Sequence, residues 1–367
     1  MKLYVIAGED SGDMHAAGLI RSLRGQLPEL EVRGVGGEKL EQAGAVLTAH
    51  VRDINFMGFW EVITHLPVIR RLFRAVQADI STWHPDVVIL VDYPGFNLRM
   101  APFIRRLGIP VIYYISPQLW AWKKGRIEII RRYVNRLLVI LPFEKEFYQQ
   151  EGLEVDFVGH PLLDYIGDPP PRTAGEIRTI ALLPGSRRQE IRRMLPVMLA
   201  MTDRFPEAEF VIAGAPSQSP ALYHQLMGNT RARLVMGQTY EVLRTADLAA
   251  VTSGTATLET ALFGVPEVVC YRGSALSYEI GRRLVQVPFI SLVNLIMGQA
   301  VVDELIQYDL NPDRLEQSLR RLMEPAIRSS LAAQYTALRA KLGDTGASGR
   351  AAQAVLTTLS WPPPVVS

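Results

Sequence analysis

Short apolar runs recur along the chain, each followed by a Gly- or Pro-bearing turn and then by a longer stretch of mixed polarity. Residues 3–7, 87–91, 111–115, 137–141, 179–183, 209–213, 248–251 and 265–271 are such runs. Continuous apolar runs of this length predict strands buried on both faces, as in parallel sheets. The stretches 16–27, 101–107, 188–205 and 255–263 are amphipathic and predict helices. Alternating buried strands and helices make βαβ units. Eight such units exceed one comfortable doubly wound sheet, so the pattern predicts an α/β protein of two Rossmann-like domains.

The boundary falls in 159–175, where Asp168-Pro169-Pro170-Pro171-Arg172 suits neither a helix nor an inner strand. The expected domains are 1–165 and 176–310. Residues 311–367 read as a helical tail (312–323, 325–342 and 347–359) that packs back on a first domain. That domain belongs to the same chain or to a second copy, so a homodimer with exchanged tails is a further expectation.

At 367 residues, against a prior of ~150 per domain, the chain has room for two or three domains without disulfide or metal staples. The 39 Lys+Arg nearly balance the 37 Asp+Glu, which argues against a general nucleic-acid binder. Local balance differs: residues 68–136 carry a net +8, against −3 for 1–67 and −5 for 137–167. Cys270 is the only cysteine, so no intramolecular disulfide forms, and a reducing cytoplasm suits it. The N-terminal apolar run is too short for a signal peptide, and no run of ~18 apolar residues predicts a membrane span. The six histidines are scattered and no metal-ligand spacing stands out, so neither a metal nor a cofactor is expected.

In open α/β sheets ligands bind beyond the carboxyl ends of the strands. Five loops there carry chemistry. Gly8-Glu9-Asp10-Ser11-Gly12-Asp13 allows close ligand approach, and its acids favour a hydroxyl-rich ligand over a pyrophosphate; as a plain turn, Ser11 or Asp13 would cap the next helix. Asp92, in Asp92-Tyr93-Pro94-Gly95-Phe96-Asn97, reads either as a general base or as the cap of a helix begun at Pro94. Residues 116–126 set Trp120 and Trp122 beside Lys123, Lys124 and Arg126, a set for stacking on a sugar or meeting phosphate, or else for ordinary packing. Gly185-Ser186-Arg187 opens a helix with free backbone N–H groups and a forked donor. Ser253-Gly254-Thr255 repeats that arrangement, and Glu259 one turn later accepts two ribose hydroxyls or simply favours its helix terminus. Two anion-ready loops suit a nucleoside diphosphate.

In order along the chain, the motifs are GEDSGD (8–13), FMGFWEV (56–62), DYPGFN (92–97), SPQLWAW (116–122), LPFEKEFY (141–148), FVGHPLLD (157–164), LLPGSR (182–187), TSGTATLE (252–259) and SLVNLIMG (291–298). Together they resemble the lipid-A-disaccharide synthases, glycosyltransferases of the GT-B type. The resemblance implies transfer of diacylglucosamine from UDP-2,3-diacylglucosamine to 2,3-diacylglucosamine 1-phosphate, with inversion, giving a β-1,6-linked disaccharide and UDP. It implies an active site between two Rossmann-like domains, with Asp92 as base and Glu9 beside it. Ser11, Trp120 and Lys123 would lie on the acceptor side. Arg187, Ser253, Gly254, Thr255, Glu259, Asn294 and Glu304 would hold UDP.

Acylated substrates reside in a bilayer. Phe56, Met57, Phe59 and Trp60 crowd one stretch that ends in Arg70, Arg71 and Arg74, a composition suited to an anionic interface, or else to a core helix with a charged end. The expected location is cytoplasmic, peripheral on the inner membrane's inner leaflet. The competing readings are another GT-B enzyme acting on UDP-N-acetylglucosamine, and a non-catalytic module that clamps a ligand.

Overall fold

The computed structural model describes residues 1–53, 66–120, 124–168, 175–273, 278 and 287–359. They form two compact units, one from residues 1–164 with the chain's end from 342, the other from 165–341.

The first unit runs β1 (Lys2–Ala7), α1 (Asp10–Arg24), β2 (Glu31–Gly36), α2 (Glu38–Gln42), β3 (Val46–His50), α3 (Leu66–Trp83), β4 (Val87–Val91), α4 (Pro94–Arg106), β5 (Val111–Tyr114), α5 (Ile127–Tyr133), β6 (Arg136–Val139), α6 (Pro142–Gln150), β7 (Asp156–Phe157) and α7 (Leu162–Ile166). Its seven strands are parallel in the order β3-β2-β1-β4-β5-β6-β7. The chain order reverses between β1 and β4, where Ala7 pairs with Val91. Every residue of β4 is buried, because helices cover both faces. On one face Leu72, Val76, Ile80 and Trp83 of α3 join Met100 and Ile104 of α4 in the core. Asp79 of α3 accepts hydrogen bonds from Thr48 (2.5 Å) and Arg33 (3.2 Å), which ties that helix to the outer strands.

The second unit runs β8 (Thr179–Leu183), α8 (Arg188–Leu199), α9 (Met201–Arg204), β9 (Glu209–Gly214), α10 (Pro220–Met227), β10 (Arg233–Met236), α11 (Thr239–Thr245), β11 (Leu248–Thr252), α12 (Thr255–Leu262), β12 (Glu267–Tyr271), α13 (Leu292–Met297), β13 (Asp303–Ile306), α14 (Pro312–Met323) and α15 (Pro325–Lys341). Its parallel sheet has the order β10-β9-β8-β11-β12-β13, reversing between β8 and β11. Glu267 is fully buried, and the described residues offer its carboxyl oxygens no hydrogen bond. Burial pushes that carboxyl well above the usual range, because a buried charge without donors is costly.

The helical tail does not behave as one piece. Helices α14 and α15 belong to the second unit, and only α16 (Ala347–Leu359) returns to the first. The reason lies in the side chains that meet it. The Asp164 carboxylate accepts from the N–H groups of Gly346 (2.5 Å), Ala347 (3.2 Å) and Ser348 (2.9 Å) and so caps α16. Arg350 donates to the Val158 carbonyl (2.8 Å), and Arg136 bridges Asp156 (2.7 Å) and the Ala354 carbonyl (2.9 Å). Helix α16 thereby lies against α1 of its own chain.

Candidate active site

The β1/β4 reversal sets two of the expected loops side by side, since Ala7 and Val91 are register partners and Gly8 and Asp92 follow them. A Cβ on Gly8 would collide with the Tyr93 ring, so only glycine lets that ring lie over the first loop. The second loop is strained: Asp92 (φ 45°) and Tyr93 (φ 46°) occupy the left-handed region, as does Ile115 (φ 65°) after the adjacent β5. Such residues cost about 1–3 kcal/mol each and persist where their surroundings impose them. Here the Asp92 carbonyl accepts from the Tyr113 hydroxyl (2.6 Å) and the Asn97 amide (2.8 Å), while its N–H donates to the Tyr114 carbonyl (3.2 Å).

These bonds engage the Asp92 backbone. Helix α4 starts at Pro94 with Tyr93 as its cap residue and no side-chain cap, so Asp92 is not its cap. Burial, and then the charge of Glu9, pushes the Asp92 carboxyl up to about 7, against a hydrogen bond from the Tyr93 backbone. An acid tuned to neutral pH at a strand end has the properties of a general base.

In the first loop, neither Ser11 nor Asp13 caps α1; Glu9 is the cap residue, and its side chain does not cap the helix. Asp13 is instead buried and accepts from Gly37 (2.6 Å), Lys39 (3.1 Å) and Leu40 (3.2 Å), which caps α2. Glu9 and Ser11 of the same loop are half-buried. Trp120 is half-buried, with its indole N–H on Glu144 (3.2 Å) and its ring edge-on to Phe143 at 4.9 Å.

In the second unit, Leu183 pairs with β11 at Val251, which brings the loops around Arg187 and Ser253 together. Arg187 is 44% exposed and donates to Glu190 (3.1 Å). Ser253 donates to the Ile290 carbonyl (2.9 Å), Gly254 is exposed, and Thr255 opens α12. Glu259 accepts from the Tyr240 hydroxyl (2.9 Å). Asn294 is buried, and its amide is engaged within the protein. Its oxygen accepts from Val301 (2.7 Å) and Val302 (3.0 Å), and its nitrogen donates to the Val302 carbonyl and to Glu304 (both 2.9 Å). Glu304 also accepts from the N–H groups of Ile290 (3.0 Å) and Ser291 (2.9 Å) and from the Ser291 hydroxyl (2.8 Å). Glu304 thus holds the 290–291 backbone, and Asn294 holds Glu304 and the 301–302 backbone.

A sequence model of the lipid-A-disaccharide synthetase family matches residues 3–357. The chain belongs to the lipid-A-disaccharide synthetase family. A lipid-A-disaccharide synthase of Syntrophus aciditrophicus is 42% identical over 373 residues, covering 97% of each chain. It follows that the protein is an enzyme, a glycosyltransferase of lipid A biosynthesis. Its two parallel-sheet α/β units have GT-B relatives of known structure. The calicheamicin glycosyltransferase CalG4 aligns with a TM-score of 0.60 at 17% identity over 99% of each chain. A UDP co-structure of S. aureus MnaA aligns at 0.70 with 13% identity, over 100% of this chain and 99% of that one.

Of this synthetase's expected site residues, Phe56, Met57, Phe59, Trp60 and Lys123 lie outside the described residues. Arg70, Arg71 and Arg74 project from α3 into solvent, opposite its buried Leu72 and Val76, so this part of the helix has an ordinary core face and a basic outer face. Among the described residues no cluster of His, Cys, Asp or Glu could hold a metal ion, and no helix is long and apolar enough to cross a membrane. Sequence reasoning missed Tyr113, Asn97, Glu144 and Tyr240. The first two hold the Asp92 backbone, and the others bond Trp120 and Glu259. Asn97 and Glu144 stood inside recognised motifs, which was the available signal.

Proposed function

We propose that the protein joins UDP-2,3-diacylglucosamine to 2,3-diacylglucosamine 1-phosphate, giving the β-1,6-linked disaccharide 1-phosphate and UDP. Asp92 takes the proton from the acceptor 6-hydroxyl. The oxygen attacks the donor anomeric carbon from the face opposite UDP, the new C–O bond forms, and UDP leaves with the electrons of the bond that breaks. The configuration inverts. What supports this reading above all is the tuned, uncapped Asp92 carboxyl at the sheet's reversal in a chain of this family.

Glu9, Ser11, Trp120 and Lys123 serve the acceptor side. Arg187 and the N–H groups of the 253–255 turn take up charge on the departing diphosphate. Glu259 accepts ribose hydroxyls. Glu304 acts through the 290–291 backbone that it holds, and Asn294 through Glu304.

Mass spectrometry of the product from synthetic acylated substrates tests the reaction. One disaccharide 1-phosphate is expected for each UDP released. Turnover of non-acylated UDP-N-acetylglucosamine at a comparable rate would favour a soluble-sugar enzyme instead.

The same reading puts the protein on an anionic membrane surface, with residues 56–63 among the acyl chains and Arg70, Arg71 and Arg74 at the headgroups. Flotation with anionic vesicles is expected to weaken as salt rises and to fail for Phe59→Ser/Trp60→Ser. Binding that ignores salt, lipid charge and both substitutions sinks that part.

A further inference from the structure

LPFEKEFY at 141–148 has no part in the chemistry above, yet two of its residues are among the most buried polar side chains of the first unit. Glu144 and Tyr148 stand four residues apart on α6, hence on one face of the helix, and both are buried. One Glu144 oxygen does what a helix start requires, accepting from the N–H groups of Leu141 (3.0 Å) and Ile140 (3.3 Å). The other oxygen accepts the indole N–H of Trp120 (3.2 Å). Tyr148 reaches the start of the same loop. Its hydroxyl lies 2.5 Å from that of Ser116 and 3.4 Å from the Pro117 carbonyl.

A helix start needs none of these further bonds, and all of them go to 116–120. That loop leaves β5 at the strained Ile115, next to Asp92, whose N–H bonds Tyr114. Burial, opposed by the N–H donors and reinforced by the nearby charge of Asp92, pushes the Glu144 carboxyl up to about 7, so the two acids lie within electrostatic reach.

We propose that Glu144 and Tyr148 are positioning residues for the acceptor: one face of α6 clamps the 116–120 loop beside Asp92, so that Trp120 is held ready to pack on the acceptor sugar. The clamp rests on the acceptor-side reading given above.

Steady-state kinetics of the full chain with acylated donor and acceptor test it. Glu144→Ala, Tyr148→Phe and Trp120→Phe are each expected to lower kcat/KM for the acceptor about tenfold, the worth of the buried bonding lost between α6 and the 116–120 loop. Donor KM and UDP affinity stay unchanged. Glu144→Ala combined with Trp120→Phe is expected to be no worse than the poorer single variant, because both remove one bond. A thermal shift on adding UDP reports folding, and Tyr148→Phe, which loses only a hydroxyl, carries the test if Glu144→Ala does not fold. Folded variants with wild-type acceptor kinetics overturn the clamp, as does equal loss toward donor and acceptor, or additive loss in the double variant. Full activity in Asp92→Asn would instead overturn the acceptor-side reading itself. An inactive Asp92→Asn beside silent clamp variants sinks the clamp alone.

Discussion

Asp92→Asn is expected to lower kcat by about two to four orders of magnitude, the range for removing a general base, and to leave UDP affinity unchanged. The substitution keeps shape and removes basicity. The protein's grip on residue 92 runs through its carbonyl and N–H, to Tyr113, Asn97 and Tyr114, and survives the change. The wild-type enzyme carries a matching signature. Asp92 must be ionised to accept the proton, so kcat/KM falls as pH drops below about 7, where burial and Glu9 have set the carboxyl. Residual turnover of the Asn variant lacks that acid limb. Stopped-flow or discontinuous assays from pH 5.5 to 8.5 decide the matter, and an unchanged kcat removes Asp92 from the role.

Arg187→Ala is expected to weaken UDP binding by about 1.5–3 kcal/mol, the worth of a hydrogen bond to a charged group. That is roughly 10- to 150-fold in Kd by titration calorimetry. One pair that Arg187 makes is with Glu190, three residues away on a half-exposed helix start. Such pairs contribute only about 0.2–0.5 kcal/mol. The unliganded protein should therefore melt nearly where wild type does, while the stabilisation that UDP confers shrinks. An unaltered Kd would show that the diphosphate lies elsewhere.

The sequence pattern was legible where strands are interior. The eight runs read as buried strands correspond to β1, β4, β5, β6, β8, β9, β11 and β12, each flanked on both sides by neighbours. The four edge strands, β3, β7, β10 and β13, escaped for want of a continuous apolar run: DF is two residues long and DELI is interrupted by two acids. Interior β2 escaped for another reason. Its Gly34 lies so close to β1 that a Cβ would strike the Val5 carbonyl, and a glycine in mid-strand breaks the apolar run that marks the others.

At the site, loop positions were readable from strand ends, and side-chain duties much less so. Asp13, Asn294 and Glu304 also accept from backbone N–H groups of other segments, and spacing carries no trace of those partners.

The return of α16 has a bearing on how the chain is made. The first unit is closed by residues far along the chain: Asp164, Val158 and Arg136 find partners between 346 and 354. The second unit, by contrast, is uninterrupted from 165 to 341. Synthesis usually completes the N-terminal domain first. Here the unit holding Asp92 needs residues from beyond the whole of the second unit, so it cannot be completed before that unit's sequence has been made.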